Sequence, residues 1–180
     1  MFKILTTVVL IGLSMQANAQ KVYVTKSGQL TFNASGGIET IAAVNNQVDS
    51  KMASATGQIV IASLVKGFRF ENQLMEDHFN ENYMESTKFP SADFKGYITN
   101  IEDINFSKDG TYAAKFEGNL TIHGVTQKVS TKGQIKISNG KPTITGDFSI
   151  SLKNYGISGS YIGDKIAGEV KIHVNCTYQN

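Results

Sequence analysis

The chain has 180 residues, a formal charge of +2, 41% hydrophobic residues and one cysteine. That length supports a single domain with its own core. Lysines alternate with acids and form no basic stripe for nucleic acid, and the lone Cys176 permits no internal disulfide.

The first residues read as a secretory signal. Lys3 supplies a short positive region, Ile4 to Met15 an apolar run, and Ala17 and Ala19 the small residues that precede a cleavage point. Cleavage is expected between Ala19 and Gln20, dividing the chain into a signal peptide over 1–19 and one domain over 20–180. The apolar run is shorter than the ~20 residues that span a bilayer, so no stable membrane span is expected after cleavage.

Five stretches then read as strands, less regularly than the second half of the chain: "KVYVT", "GQLTFNAS", "IETIAAVNNQVDS", "ATGQIVIAS" and "VKGFRF". Next comes "LMEDHFNENYMESTKFPSADFKG", Leu74 to Gly96, which breaks the β pattern. Met75, Phe79 and Tyr83 recur at helical spacing, and Asp77, Glu81 and Glu85 repeat it on another face. This predicts one short amphipathic helix near 74–85 whose acids form a solvated face. "FKGYITNIEDINF" is expected to be another strand.

The second half alternates with period two. Phe116, Gly118, Leu120 and Ile122 share one face, with Lys115, Glu117 and Asn119 opposite. Val125, Val129, Ile135 and Ile137 share the next, after a tight His123-Gly124 turn. Ile144, Gly146, Phe148, Ile150 and Leu152 come after them, then Ile166, Gly168, Val170, Ile172, Val174 and Cys176. Consecutive strands joined by short turns make an antiparallel up-and-down meander, and closure into a barrel of about eight strands removes its edges. Such a barrel is just filled by side chains or holds one small ligand. An inward glycine at 118, 146 or 168 can mark a bend or bulge that lets its strand coil, but three of them on neighbouring strands, beside Phe116 and Phe148, would leave room for an apolar ligand.

Three stretches, "GNLTIHGVTQKV" (118–129), "KFPSADFKG" (88–96) and "KNYGISGSYIGDKIAGEVKI" (153–172), together resemble the YceI-like family of exported bacterial proteins. The likeness covers most of the chain after the leader and is strongest from Leu74 onward. It departs at Asn154, where the family often carries Asp, and the N-terminal strands match only loosely. The resemblance implies a lipocalin-like barrel that binds an isoprenoid lipid, such as an isoprenoid quinone or a polyprenyl phosphate. It also implies a periplasmic or secreted location.

The candidate ligand-binding residues are therefore Phe116, Gly118, Leu120, Ile144, Gly146, Phe148, Ile150, Ile166, Val170 and Ile172, with His123 as a headgroup contact. No catalytic residue, metal ligand or cofactor is expected. His78, His123 and His173 are not spaced as a zinc site, and there is no nucleophile elbow or phosphate loop. Cys176 alternates inward as a buried thiol. The expectation is a carrier, sequestering or storage protein for an apolar chain. Two alternatives stay open: an enzyme acting on a lipid-like substrate in the same cavity, and a filled barrel serving as a structural or partner-binding module. A membrane-spanning barrel is disfavoured by the helix and by the absence of aromatic girdles.

Overall fold

The computed structural model describes residues 21–36 and 40–179. The leader expected over 1–19 lies outside the described residues. Among the described residues nine strands form in chain order: β1 (Val22–Ser35), β2 (Ala42–Ala53), β3 (Gln58–Leu64), β4 (Arg69–Phe70), β5 (Ser91–Ile98), β6 (Gly110–Ile122), β7 (Val125–Ser138), β8 (Lys141–Ser151) and β9 (Ile166–Thr177). All pairings between them are antiparallel. Eight strands run around in the order β1-β9-β8-β7-β6-β5-β3-β2, and β2 pairs back onto β1, closing the barrel. The two-residue β4 is a side strand on β2.

β6 to β9 form as their alternation dictates. The β6–β7 ladder runs without a register shift from Gly110↔Ile137 to Ile122↔Val125. Its turn holds His123 at φ 52° and Gly124 at φ 73°, and the β7–β8 turn holds Asn139 at 51° and Gly140 at 72°. Two consecutive positive φ angles give the turn whose twist matches the flanking strands.

β1 and β2 are less regular because each changes face midway. Tyr23 and Thr25 point inward, then Gly28 and Ala34, so parity flips between Thr25 and Gly28. The β1–β2 register shifts at that point, and Thr25 Oγ1 accepts a bond from Ser27 N at 3.3 Å. In β2, Ala43 and Asn45 are buried, then Val48, Ser50 and Met52. Asn45 holds this flip: its Oδ1 accepts from Gln47 N (2.8 Å) and its Nδ2 donates to Leu64 O (3.0 Å). A bulge bends and twists its strand. Such irregularities turn what reads as separate short strands, "KVYVT" and "GQLTFNAS", into one long β1.

Three other expectations shift. "VKGFRF" is a 3-10 turn at Val65–Gly67 followed by β4, and "FKGYITNIEDINF" is strand only to Ile98 before a second 3-10 turn at Ile101–Asp103. The expected helix is α1 (Gln73–His78), capped by Asn72 Oδ1 accepting from Leu74 N (2.9 Å). It continues as a π-helical turn over Phe79–Tyr83. Glu85 lies beyond it with a positive φ of 43°.

The lumen divides into two clusters. One joins Tyr23, Val48, Met52, Ile59, Ile98, Ile135, Ile137, Cys176 and Tyr178, each no more than 2% exposed. Across its centre the Tyr178 hydroxyl bonds to Ser50 Oγ at 2.7 Å, and Ser50 Oγ also reaches Val60 O at 2.9 Å. The other cluster, around Val65, Leu120, Ile122, Ile150, Tyr155, Ile157 and Val170, borders open space.

Candidate functional site: an apolar cavity in one half of the barrel

That open space is a cavity of about 510 Å³, within the usual range for small-molecule sites. Its wall is built from the inward faces of seven barrel strands: Leu30, Phe32 and Ala34 of β1, Ile61 of β3, Phe94 of β5, Leu120 and Ile122 of β6, Val129 of β7, Phe148 and Ile150 of β8, and Val170 and Ile172 of β9. Phe116, Ile144 and Val174 form its floor, since they line the cavity and also belong to the tightly packed cluster beneath. Leu74, Met75 and His78 of α1 join Tyr161 and Lys165 of the 156–165 loop around the mouth. Leu74 is 59% and Tyr161 51% exposed.

The helical segment acts as a lid. Its apolar stripe of Met75, Phe79 and Tyr83 faces the cavity. The Phe79 ring sits among three others, with centroids 5.4 Å from Phe32, 5.8 Å from Phe68 and 5.1 Å from Phe70. Aromatic packing of this kind contributes beyond the area it buries. Polar struts hold both ends of the segment. Arg69 Nη1 donates to Glu76 Oε1 at 3.0 Å, and Phe70 N to Glu76 Oε2 at 3.3 Å. At the far end Glu85 Oε2 lies 2.9 Å from His123 Nε2, while His123 Nδ1 faces Tyr155 O at 3.3 Å. The acids are therefore not uniformly a solvated face. Asp77 and Glu81 are exposed, but Glu76 and Glu85 are architectural.

Nine of the expected residues line the cavity: Phe116, Leu120, Ile144, Gly146, Phe148, Ile150, Ile166, Val170 and Ile172. Gly118 and His123 do not. Gly118 is on the inward face, but a Cβ there would collide with Lys95 O and stand 2.9 Å from the Phe94 ring. Phe94 covers the facing pair Gly96↔Gly118, so this glycine serves close strand approach rather than ligand space. His123 packs against Phe89 (centroids 4.4 Å apart) and braces the 85–89 and 155 segments outside the lumen. Gly168 lies exposed near the start of β9. Gly146 alone of the three expected inward glycines opens onto the cavity, where a Cβ would meet only backbone at 3.7 and 3.8 Å.

Alternation did not single out Phe32, Phe68, Phe70 or Phe94. The clustering of phenylalanine in "GFRF" and at Phe79 was the available signal.

Polar groups collect at the mouth: Asn72, His78, Tyr83, Tyr161 and Lys165. The Lys165 ammonium lies 5.1 Å above the Tyr161 ring, a favourable cation–π placement. Burial, and secondarily the Tyr161 phenol, raises the Tyr83 hydroxyl above its ordinary pKa, and burial alone raises Tyr155. Burial also pushes the Cys176 thiol up to about 11, away from the reactive thiolate. Among the described residues no three His, Cys, Asp or Glu side chains converge as a metal site.

A family model described as "YceI-like domain" matches residues 14–178. Solved structures share the fold at low identity. A polyisoprenoid binding domain from Saccharophagus degradans, implicated in plant cell wall breakdown, superposes with a TM-score of 0.76 at 10% identity, covering 89% of this chain and 98% of that one. Burkholderia cenocepacia BcnA gives 0.70 at 14% identity, covering 85% and 96%. The Campylobacter jejuni YceI protein gives 0.61 at 16% identity, covering 80% and 88%. Among curated proteins none matches this sequence.

Proposed function

Because the chain belongs to the YceI-like family, we propose that it is an exported binding protein that holds an apolar isoprenoid-type lipid, a polyprenyl chain or an isoprenoid quinone, in the barrel lumen. The observation that carries this reading is the cavity of about 510 Å³ with a predominantly apolar wall. Each CH2 transferred from water into such a space contributes ~0.8 kcal/mol, so a prenyl tail needs no specific polar partner there. The polyisoprenoid binding domain from Saccharophagus degradans supports the ligand class. A polar head stays at the mouth near Lys165, Tyr161 and His78, because burying a phosphate without partners is too costly.

The barrel exterior supports a carrier that works in water. Lys115, Glu117, Lys128, Lys132, Lys136 and Lys171 all point outward and are exposed, the reverse of a lipid-facing strand surface. No helix among the described residues is long and apolar enough to cross a membrane. Export rests on the leader expected over 1–19, and intact mass of the secreted protein should place the mature N-terminus at Gln20. A mature protein that keeps Met1 to Ala19 overturns that part.

The ligand test is native mass spectrometry of protein purified from its own host, followed by organic extraction. The expected result is a bound prenyl lipid in a fixed ratio to protein. Protein that arrives empty and ignores a fluorescent polyprenyl analogue in titration refutes the reading.

A further inference from the structure

The cavity opens at the lid and ends on a solid floor, and the residues of that floor decide how much chain can enter. Phe116, Ile144 and Val174 face the ligand space on one side and the fully packed Met52–Tyr178 cluster on the other. Of the three, Phe116 is the largest, and its side chain leans diagonally onto the neighbouring β7. Its ring lies over Gly133, where a Cβ would stand 3.1 Å from Phe116 Cε2, and Gly133 pairs directly with the cavity-lining Gly146. The ring therefore fills the space that Gly133 leaves vacant on β7, while Gly146 beside it stays open to the cavity. Beneath it Ile135, Ile137 and Tyr178 are at most 2% exposed, and the Tyr178 side chain passes under β1 to bond Ser50 of β2. A chain cannot thread through to the far end.

Resting on the lipid reading above, we propose that Phe116 is the chain-length determinant of this protein: it sets the depth at which an isoprenoid tail stops. Chain beyond that depth stays at the mouth, between Leu74 and Tyr161, and gains little. A phenyl ring and an isoprene unit occupy comparable space, so removing the ring lets the tail advance by about one unit. Adding a ring at Ile144 stops it about one unit sooner.

The test is affinity against chain length, measured for geraniol, farnesol, geranylgeraniol and a long polyprenol by displacement of a fluorescent prenyl probe. Wild type should gain roughly tenfold or more per isoprene unit up to a break, then level off. Phe116→Ala should move the break one unit longer, and Ile144→Phe one unit shorter. Phe116→Leu, which keeps most of the packing, covers the case in which the alanine variant does not fold, and should move the break the same way by less. Glu117→Gln, on the outer face, should leave it in place. Wild-type affinity that climbs without a break, or a break unmoved by both Phe116→Leu and Ile144→Phe, overturns the assignment while leaving lipid binding intact. A wild type that binds none of the four alcohols removes the lipid reading and this inference together.

Discussion

Around Met52 and Tyr178 the barrel is filled; around Phe148 and Val170 it is hollow, though the same strands wall both halves. Inward side chains from β6, β8 and β9 are much alike in the two halves: Ala114 and Phe116 against Leu120 and Ile122, Ile144 against Ile150, Val174 against Val170. The difference comes from what else enters. The packed half receives Tyr23 and Tyr178 from β1 and from just past β9, Met52 from β2, and Phe106 stacked on Tyr23 at 5.7 Å. The hollow half receives its aromatics as a lid across one end. Alternation thus sets which way side chains point, while the elements that flank the regular strands set whether the lumen is filled.

The largest effect expected from this contrast is at Met52. Met52→Ala should cost about 3–5 kcal/mol, since the side chain is fully buried in a region that cannot collapse. Ile150→Ala, at the cavity wall, should cost less and instead weaken prenyl binding. Urea denaturation of both variants checks the ranking, and equal costs would erase the distinction between the halves.

Glycines sharpen it next. Gly118→Ala places a Cβ against the backbone of Lys95 and Gly96 and should destabilise by about 2–3 kcal/mol. Gly146→Ala points into free space and should change stability by under about 1 kcal/mol. Thermal melts of the pair decide.

Phe79→Ala should cost about 2 kcal/mol, less than a fully buried ring, because Phe79 is only half-buried. It should also speed ligand exchange, which stopped-flow release of a fluorescent prenyl probe would detect. Glu81→Gln, on the exposed side of the lid, should move neither stability nor exchange.

The packed half also carries a pH signature. The Cys176 thiol is pushed from its ordinary 9.0 up to about 11 by burial, so the unfolded chain loses this proton before the folded one does. The thiol's contribution is complete below pH 9.0 and is lost as pH rises through about 11. The stability lost over that window is on the order of 2 kcal/mol. Cys176→Ala should flatten that decline in denaturation midpoints between about pH 8 and 11. An unchanged slope would mean that the thiol is not the group responsible.

The barrel and most of its cavity wall were legible because β6 to β9 keep one parity along most of their length, so Phe148 and Ile150 on β8, and Val170 and Ile172 on β9, could be placed by counting in twos. Counting fails across a bulge. Phe32 and Leu30 alternate cleanly within "GQLTFNAS", but parity in β1 changes between Thr25 and Gly28, so nothing carried over from "KVYVT" says which face of that stretch turns inward. Gly118 was placed on the right face, but alternation could not decide between backbone geometry and ligand space there, since the Phe94 ring that fills its space comes from another strand. The Glu85–His123 contact joins residues 38 positions apart, a pairing that no local pattern encodes.

Closure of this barrel is a late event in the life of the chain. β1 needs β9 as its neighbour, with Leu30 opposite Val174 and Phe32 opposite Ile172, and the buried Ser50 hydroxyl waits for Tyr178, 128 residues further on. A chain emerging in order cannot seal its lumen until those last residues arrive. Folding dominated by such distant pairings is slow. Under the proposed export such slowness would be useful, because the polypeptide would reach the translocation machinery as an open thread. The barrel, and any lipid in it, would then be assembled on the far side of the membrane.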